Sequence, residues 1–299
     1  LFPFEIWARL SARFWRRPPP EALGYGDPAG DWRLRELVAA YLRSSRGLTC
    51  TPEQVLITCG SQQAISLCAQ LLLQAGERVA IENPGYRAAG HAFAVAGARL
   101  CGVPVDNEGL DTAALQALGT CRLAYVTPSH QYPTGVTLSL ARRLELLAWA
   151  ERHDAWVIED DYDGEYRYRG VPLAPLAALD RSGRVLYVGT FCKIAFPALR
   201  LGYLVLPPEL VEPFAQRRAL DMRHSEIGSQ AVTAASIAAG HLPPHVRRMR
   251  AAARTRPAAP PQGWPQVPGC APLPAVEAGL HLSVRVESLQ RETELVAAA

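Results

Sequence analysis

Apolar and polar positions follow two rhythms along the chain. Short runs rich in β-branched and large apolar residues read as strands: VLIT (55–58), RVAIE (78–82), RLAYVT (122–127), AWVIED (155–160), RVLYVG (184–189) and GYLVLP (202–207). Between them Ala64, Ile65, Cys68, Leu71 and Leu72 recur at helical spacing, as do Leu140, Leu144, Leu147 and Ala148, and each stripe is expected to lie on a sheet. Strands this apolar, with little alternation, belong in a sheet covered on both faces. Their alternation with helices predicts an α/β fold with a mostly parallel sheet and crossover helices.

The C-terminal part breaks that rhythm. A long helix is expected near 245–256, where Arg247, Arg248, Arg250, Arg254 and Arg256 fall on more than one face and read as a solvated surface rather than a polyanion site. Pro257, Pro260 and Pro261 stop it, and PAAPPQGWPQVPG reads as a loop. GLHLSVRV (279–286) resembles one strand of a second layer. The chain starts at Leu1 rather than Met, so an upstream segment is expected, and one strand with a polar end reads as an incomplete C-terminal domain.

Composition narrows the class. With 299 residues and 49% hydrophobic content, the chain can bury a large core of one or two domains. A net charge of +3 and a pI near 8.5 are too mild for a nucleic-acid or membrane-surface footprint. Seven cysteines without a CxxC pair fit a reducing, cytoplasmic compartment and supply no zinc-binding pattern. No apolar run approaches a membrane span, and the opening LFPFEIWARLSARFWRR carries charges too early for a signal peptide.

The chemistry lies at strand ends, where open α/β sheets bind ligands. Lys193, the chain's one lysine, follows the RVLYVG strand by a few residues and precedes Arg200 by seven. Neutral, it is a nucleophile for an aldehyde, and burial or neighbouring cations would favour that form. Thr190 and Cys192 flank it with small polar groups, and Arg200 offers a planar fork for phosphate oxygens. In TCGSQQAI, Ser61 and Gln62 open a helix whose amides would cradle a phosphate, although Ser61 also suits a plain N-cap. Tyr86, ending ENPGY, could lie on a planar heterocycle or pack on the core. EDDYDGEYRY crowds five carboxylates between Glu159 and Glu165. It matches no EF-hand spacing and holds no histidine, so no metal is assigned. A buried Asp160 would need a cation, which a protonated pyridine nitrogen supplies.

YGDPAG (25–30), NPGY (83–86), TPSHQYPTG (127–135), EDDYDGEYRY (159–168), GTFCKIAFPALRLGY (189–203) and HVRRMR (245–250) together resemble the aminotransferase-like domain of MocR-type GntR regulators, with GLHL (279–282) as a further echo. The likeness covers residues 1–256 in order. It implies a fold type I transferase with a mostly parallel seven-stranded sheet, residues 1–23 as an arm, 24–244 as the cofactor domain and 245–299 as a helix with part of a small domain. It also implies pyridoxal 5′-phosphate as an aldimine on Lys193, with Asp160 on the pyridine nitrogen, Tyr162 on the phenolic oxygen and Tyr86 on the ring. Ser61, Gln62, Thr190, Cys192 and Arg200 would hold the phosphate, and Tyr25 would reach in from the partner of a homodimer. Tyr132 stands where true aminotransferases carry an asparagine, which favours the regulators, and Cys192 replaces a serine. The small-domain arginine that grips a substrate carboxylate has no counterpart, since neither Arg285 nor Arg291 sits in the family's motif.

The resemblance thus implies a domain that senses an amino compound in a transcription regulator, reading DNA only through an upstream winged helix. Two other readings stay open: a free-standing aminotransferase acting on an amino acid and a 2-oxo acid, and a degenerate fold without bound cofactor.

Overall fold

The computed structural model describes residues 2–169, 173–255, 270–271, 278–284 and 286–298. Eight strands form one sheet: β1 (Val55–Thr58), β2 (Arg78–Asn83), β3 (Arg99–Asp106), β4 (Gly109–Leu110), β5 (Leu123–Val126), β6 (Trp156–Asp161), β7 (Val185–Thr190) and β8 (Gly202–Val205). Their order is β1-β8-β7-β6-β5-β2-β3-β4. The block from β7 to β3 is parallel, whereas β8 runs antiparallel to both β1 and β7 and the short β4 antiparallel to β3.

The helices are α1 (Phe4–Arg16), α2 (Trp32–Arg46), α3 (Ser61–Leu72), α4 (Arg87–Val95), α5 (Thr112–Ala117), α6 (Leu140–Arg152), α7 (Leu176–Leu179), α8 (Pro208–Met222), α9 (Ile227–Ala238), α10 (Leu242–Thr255) and α11 (Leu289–Ala298). Local chemistry sets their ends. Asp31 caps α2 by accepting from the Leu34 amide at 2.7 Å, and Gly47 closes it in the left-handed region. Ser139 caps α6.

The expected two-sided burial is present. Leu56, Leu123, Tyr125, Trp156, Ile158, Leu186, Val188 and Leu204 face one core with α3, α4 and α8. Their strand neighbours Ala124, Val126, Val157 and Val185 face a second core with α5 and α6. Val55, Ile57, Tyr187, Tyr203 and Val205 face a third with α2 and α9. Successive residues therefore enter different cores, which is why the strands read as unbroken apolar runs.

Three expectations are corrected. The sheet has eight strands rather than seven; β3 and β4 escaped notice because β3 is exposed at alternate positions and holds a glycine and a proline. The α6 stripe is misplaced: Leu140 and Leu144 are exposed, and Arg143, Leu146, Trp149 and Ala150 face the protein. Arg143 misled the pattern because its guanidinium is buried against carbonyls, donating to Leu138 O at 3.0 Å, Ala174 O at 3.1 Å and Pro128 O at 2.8 Å. GLHLSVRV forms no strand among the described residues; Ala278 and Val286 make isolated bridges to Arg167 and Cys270. The mostly parallel character of the sheet is as expected, with only its β1–β8–β7 side and the short β4 antiparallel. Arg247, Arg248, Arg250 and Arg254 on α10 are exposed as expected. Arg256, the whole proline-rich loop including Pro257, Pro260 and Pro261, and Arg285 lie outside the described residues.

Candidate functional site

Strand register assembles the site. Gly202 of β8 sits between Thr58 of β1 and Thr190 of β7, so the β7 end carrying Lys193 lies beside the start of α3. Gly60 turns the chain from β1 into α3 with φ +76°, and it is the N-cap, leaving Ser61 as the first helical residue. A glycine cap brings no side-chain oxygen, so the first amides of α3 stay available to an anion. Arg200, donating to Cys59 O at 3.2 Å, lies across this turn, and a Cβ on Gly60 would stand 3.1 Å from its guanidinium. Gln62 ties α3 to α4 through Ala88 O at 3.1 Å, while its buried Oε1 has no hydrogen-bond partner among the described residues.

Asp160, the last residue but one of β6, is buried. Tyr125 donates to its Oδ2 at 2.7 Å, whereas Oδ1 has no partner among the described residues. Burial pushes the carboxyl up to about 7, helped by Asp161 and Asp163 and opposed by the Tyr125 hydrogen bond and the Lys193 charge. A buried acceptor with an unused oxygen suits a cationic N–H donor.

Lys193 lies in the turn after β7 and is exposed. Its carbonyl accepts from Tyr166 at 2.8 Å. Thr190 and Cys192 are buried and both point at Leu201 O, at 3.4 and 3.6 Å, closing the β7–β8 connection. Tyr86, at the N-cap of α4, meets Tyr132 edge-on at 5.7 Å, and Tyr132 meets Tyr162 edge-on at 6.2 Å. Tyr25 is not brought in: it is 86% exposed, under the Arg223 guanidinium. Arg291 is on α11, 3.0 Å from Glu294.

The five carboxylates diverge. Glu159 caps α7 through the Leu176 and Ala177 amides, Asp161 takes Arg46 and Tyr187, and Glu165 takes Tyr41. Asp163 faces His130. Among the described residues His130, Asp163 and His281 have potential ligand atoms within 4.8 Å of one another, a grouping across three segments that linear spacing does not reveal.

Other site groups were missed. Glu82 accepts from the Thr127 hydroxyl at 2.7 Å and from Gln131 at 3.2 Å, while Gln131 also donates to Pro84 O at 2.9 Å. This buried network joins the turns that carry Tyr86 and Tyr132, and burial pushes Glu82 up to about 7. Polar residues ending apolar strands were its available signal. Tyr125 offered none, being indistinguishable from a core aromatic. A cavity of about 770 Å³ opens elsewhere, between α1, residues 19–33 and α9, so size alone does not locate the site.

A mostly parallel sheet whose strand ends gather an amine, an unsatisfied buried carboxylate, aromatic rings and an uncapped helix defines an α/β protein with a strand-end ligand site. The chain belongs to the class I and II aminotransferase family, whose model matches residues 12–257. It is 42% identical over 249 residues to the probable rhizopine catabolism regulatory protein MocR of Rhizobium meliloti, covering 83% of this chain and 50% of the regulator. It is 30% identical over 257 residues to aromatic-amino-acid aminotransferase 1 of Thermococcus litoralis, covering 83% and 61% of the two chains. The crystal structure of the α-aminoadipate aminotransferase LysN from Thermus thermophilus, complexed with N-(5′-phosphopyridoxyl)-L-leucine, superposes with a TM-score of 0.87 at 30% identity, covering 95% and 73%. The chain spans about half the length of the regulator. No described helix is long and apolar enough to cross a membrane.

Proposed function

We propose that this chain is the pyridoxal 5′-phosphate-binding, aminotransferase-like effector domain of a MocR-type regulator, with residues 24–244 forming the cofactor domain. The observation that carries this is the buried Asp160, whose Oδ1 lacks a partner among the described residues while Lys193 is close enough to act on its charge. The residues fit the cofactor. Asp160 would hold the pyridine nitrogen and Tyr162 the phenolic oxygen, Tyr86 would cover the ring, and the α3 amides with Ser61, Gln62 and Arg200 would hold the phosphate. Thr190 and Cys192, now turned to Leu201 O, would complete that cradle by rotating about χ1.

When bound, the cofactor supplies an electron sink for carbanion chemistry at an amino acid's α-carbon. Asp160 keeps a proton on the ring nitrogen. The Lys193 Nζ would attach the cofactor and, as a free amine, would serve as the base for a substrate proton. Tyr132, 40% exposed, packs edge-on against Tyr86 and Tyr162.

The regulator reading adds a homodimer in which Tyr25 serves the neighbouring site, an amino compound as effector, a cytoplasmic setting and operator binding through an upstream winged helix. The likeness to MocR favours it. The likeness to the Thermococcus aminotransferase supports the second reading, turnover of an amino acid with a 2-oxo acid.

Adding pyridoxal 5′-phosphate to the purified chain is expected to produce a visible absorbance that Lys193→Ala abolishes. A panel of amino compounds should then change that spectrum with little turnover. Sustained transamination would select the enzyme reading, and a colourless protein at saturating cofactor would exclude both.

A further inference from the structure

We propose that His130, held by Asp163, is a positioning residue that fixes the Tyr162 hydroxyl as a hydrogen-bond donor into the site. The proposal rests on the reading of Tyr162 as the partner of the cofactor's phenolic oxygen. His130 comes from the loop after β5, and Tyr162 and Asp163 follow β6. The His130 Nδ1 lies 3.0 Å from the Asp163 Oδ2 and 3.0 Å from the Tyr162 hydroxyl.

The hydrogen-bond roles follow from the partners. Asp163 Oδ2 already accepts from the Leu280 amide at 3.1 Å, so it faces Nδ1 as an acceptor and Nδ1 carries the proton. The Tyr162 hydroxyl is 2.9 Å from the His130 carbonyl, which can only accept. The phenol therefore donates to that carbonyl and shares the single Nδ1–H with Asp163 in a three-centre hydrogen bond. Its oxygen is pinned, and its own proton is the part free to swing from the carbonyl to an incoming oxygen. Accepting from Nδ1–H also polarises the phenol into a better donor.

The imidazole is clamped in place. Gly279, with φ +85°, leaves no room for a Cβ, which would stand 1.8 Å from His130 Cε1. A Cβ on Gly135 would stand 3.2 Å from Nε2, and the His281 ring lies 4.6 Å away. Charged and titratable groups facing this assembly are Asp160, Glu82 and Tyr132 beside Tyr162, and His281 beside His130, with Lys193 acting on Asp160 and His281. Burial and then Asp163 and Asp160 push the Tyr162 phenol up, so it keeps the proton it would donate. The 278–284 segment thus contributes by bracing His130, as well as by the Tyr168 hydroxyl's bond to Gly279 O at 2.7 Å.

The test uses the whole chain loaded with pyridoxal 5′-phosphate and reads the pH midpoint of its visible absorbance. Donation from Tyr162 to the phenolic oxygen competes with the proton on the nitrogen that joins Lys193 to the cofactor. Weaker donation leaves that proton bound to higher pH. His130→Phe is expected to raise the midpoint by about 1 unit, the size of one hydrogen bond. His130→Asn, which keeps an N–H near the Nδ1 position, is expected to restore most of it, and Asp163→Asn should raise it less than His130→Phe. Midpoints unchanged in folded, cofactor-binding variants would reduce His130 to a structural role and overturn the proposal.

A second readout needs no cofactor. Nitrogen-15 histidine spectra of the cofactor-free protein should show His130 protonated at Nδ1, and a ring protonated only at Nε2 would overturn the relay. So would stoichiometric zinc in the purified protein that a chelator must remove before Nδ1–H appears. If the loaded wild type stays colourless, the functional reading fails, while the histidine spectrum still decides the geometry.

Discussion

Asp160 shows how one residue sets function against stability. Buried among carboxylates, it is pushed up to about 7 from an ordinary 3.8. The folded state therefore holds its proton more tightly than the unfolded chain, so this contribution to stability is complete at low pH and lost as pH rises from about 4 to about 7. Asp160→Asn removes that loss. In the cofactor-free protein the variant should be more stable than wild type at pH 8, by on the order of 1 to 3 kcal/mol, and closer to it at pH 4, as read from urea unfolding at both values. The same change should weaken pyridoxal 5′-phosphate binding at least tenfold by absorbance titration, because a neutral amide cannot hold a protonated ring nitrogen. Lys193 and Arg200 were conspicuous in the sequence because cations beside apolar strands are rare; the Tyr125 hydroxyl that shares Asp160 was hidden among core aromatics.

At the scale of elements, α6 carries the clearest lesson. Its leucine stripe is a good helical pattern that faces solvent at Leu140 and Leu144, because Arg143 fastens the opposite face to Pro128, Leu138 and Ala174. Arg143 also lies 3.9 Å from the buried Glu159 and draws on the loop that bears His130 and Tyr132. Arg143→Leu should therefore cost roughly 3–5 kcal/mol by taking the donor from three carbonyls and the nearby cation from buried Glu159. Leu144→Ala, by contrast, should stay within about 0.5 kcal/mol in the same denaturant experiment. Gly279→Ala tests a second element-scale contact. It should shift the His130 ring signals by NMR, since its Cβ has no space beside that ring.

For the whole molecule, the proposed dimer makes a prediction one chain cannot fulfil alone. Tyr25 lies 86% exposed. If it completes the partner's site, Tyr25→Phe and Lys193→Ala homodimers should each bind cofactor poorly or without covalent attachment. Mixing and exchanging the two should regenerate one intact site per heterodimer, recovering up to about a quarter of the wild-type absorbance for random pairing. No recovery in a mixture shown by light scattering and mass spectrometry to contain heterodimers would place Tyr25 outside the site. Cofactor at a hundredfold excess over its dissociation constant should stabilise the wild type by about 2.7 kcal/mol, read as a shift in thermal unfolding.

The amino-acid sequence by itself determined the α/β class, most of the strands and the strand-end positions of Lys193, Asp160, Tyr86 and Arg200. These depend on local apolar runs and on residue types that are costly to place beside them. Only the tertiary structure decided the antiparallel entry of β8, the buried face of α6 and the fates of five adjacent carboxylates. Each depends on partners tens to more than a hundred residues away. It also decided that His130, Asp163 and Tyr162 meet behind Gly279, since a hydrogen-bonded cluster is a matter of distances that no single segment's spacing contains.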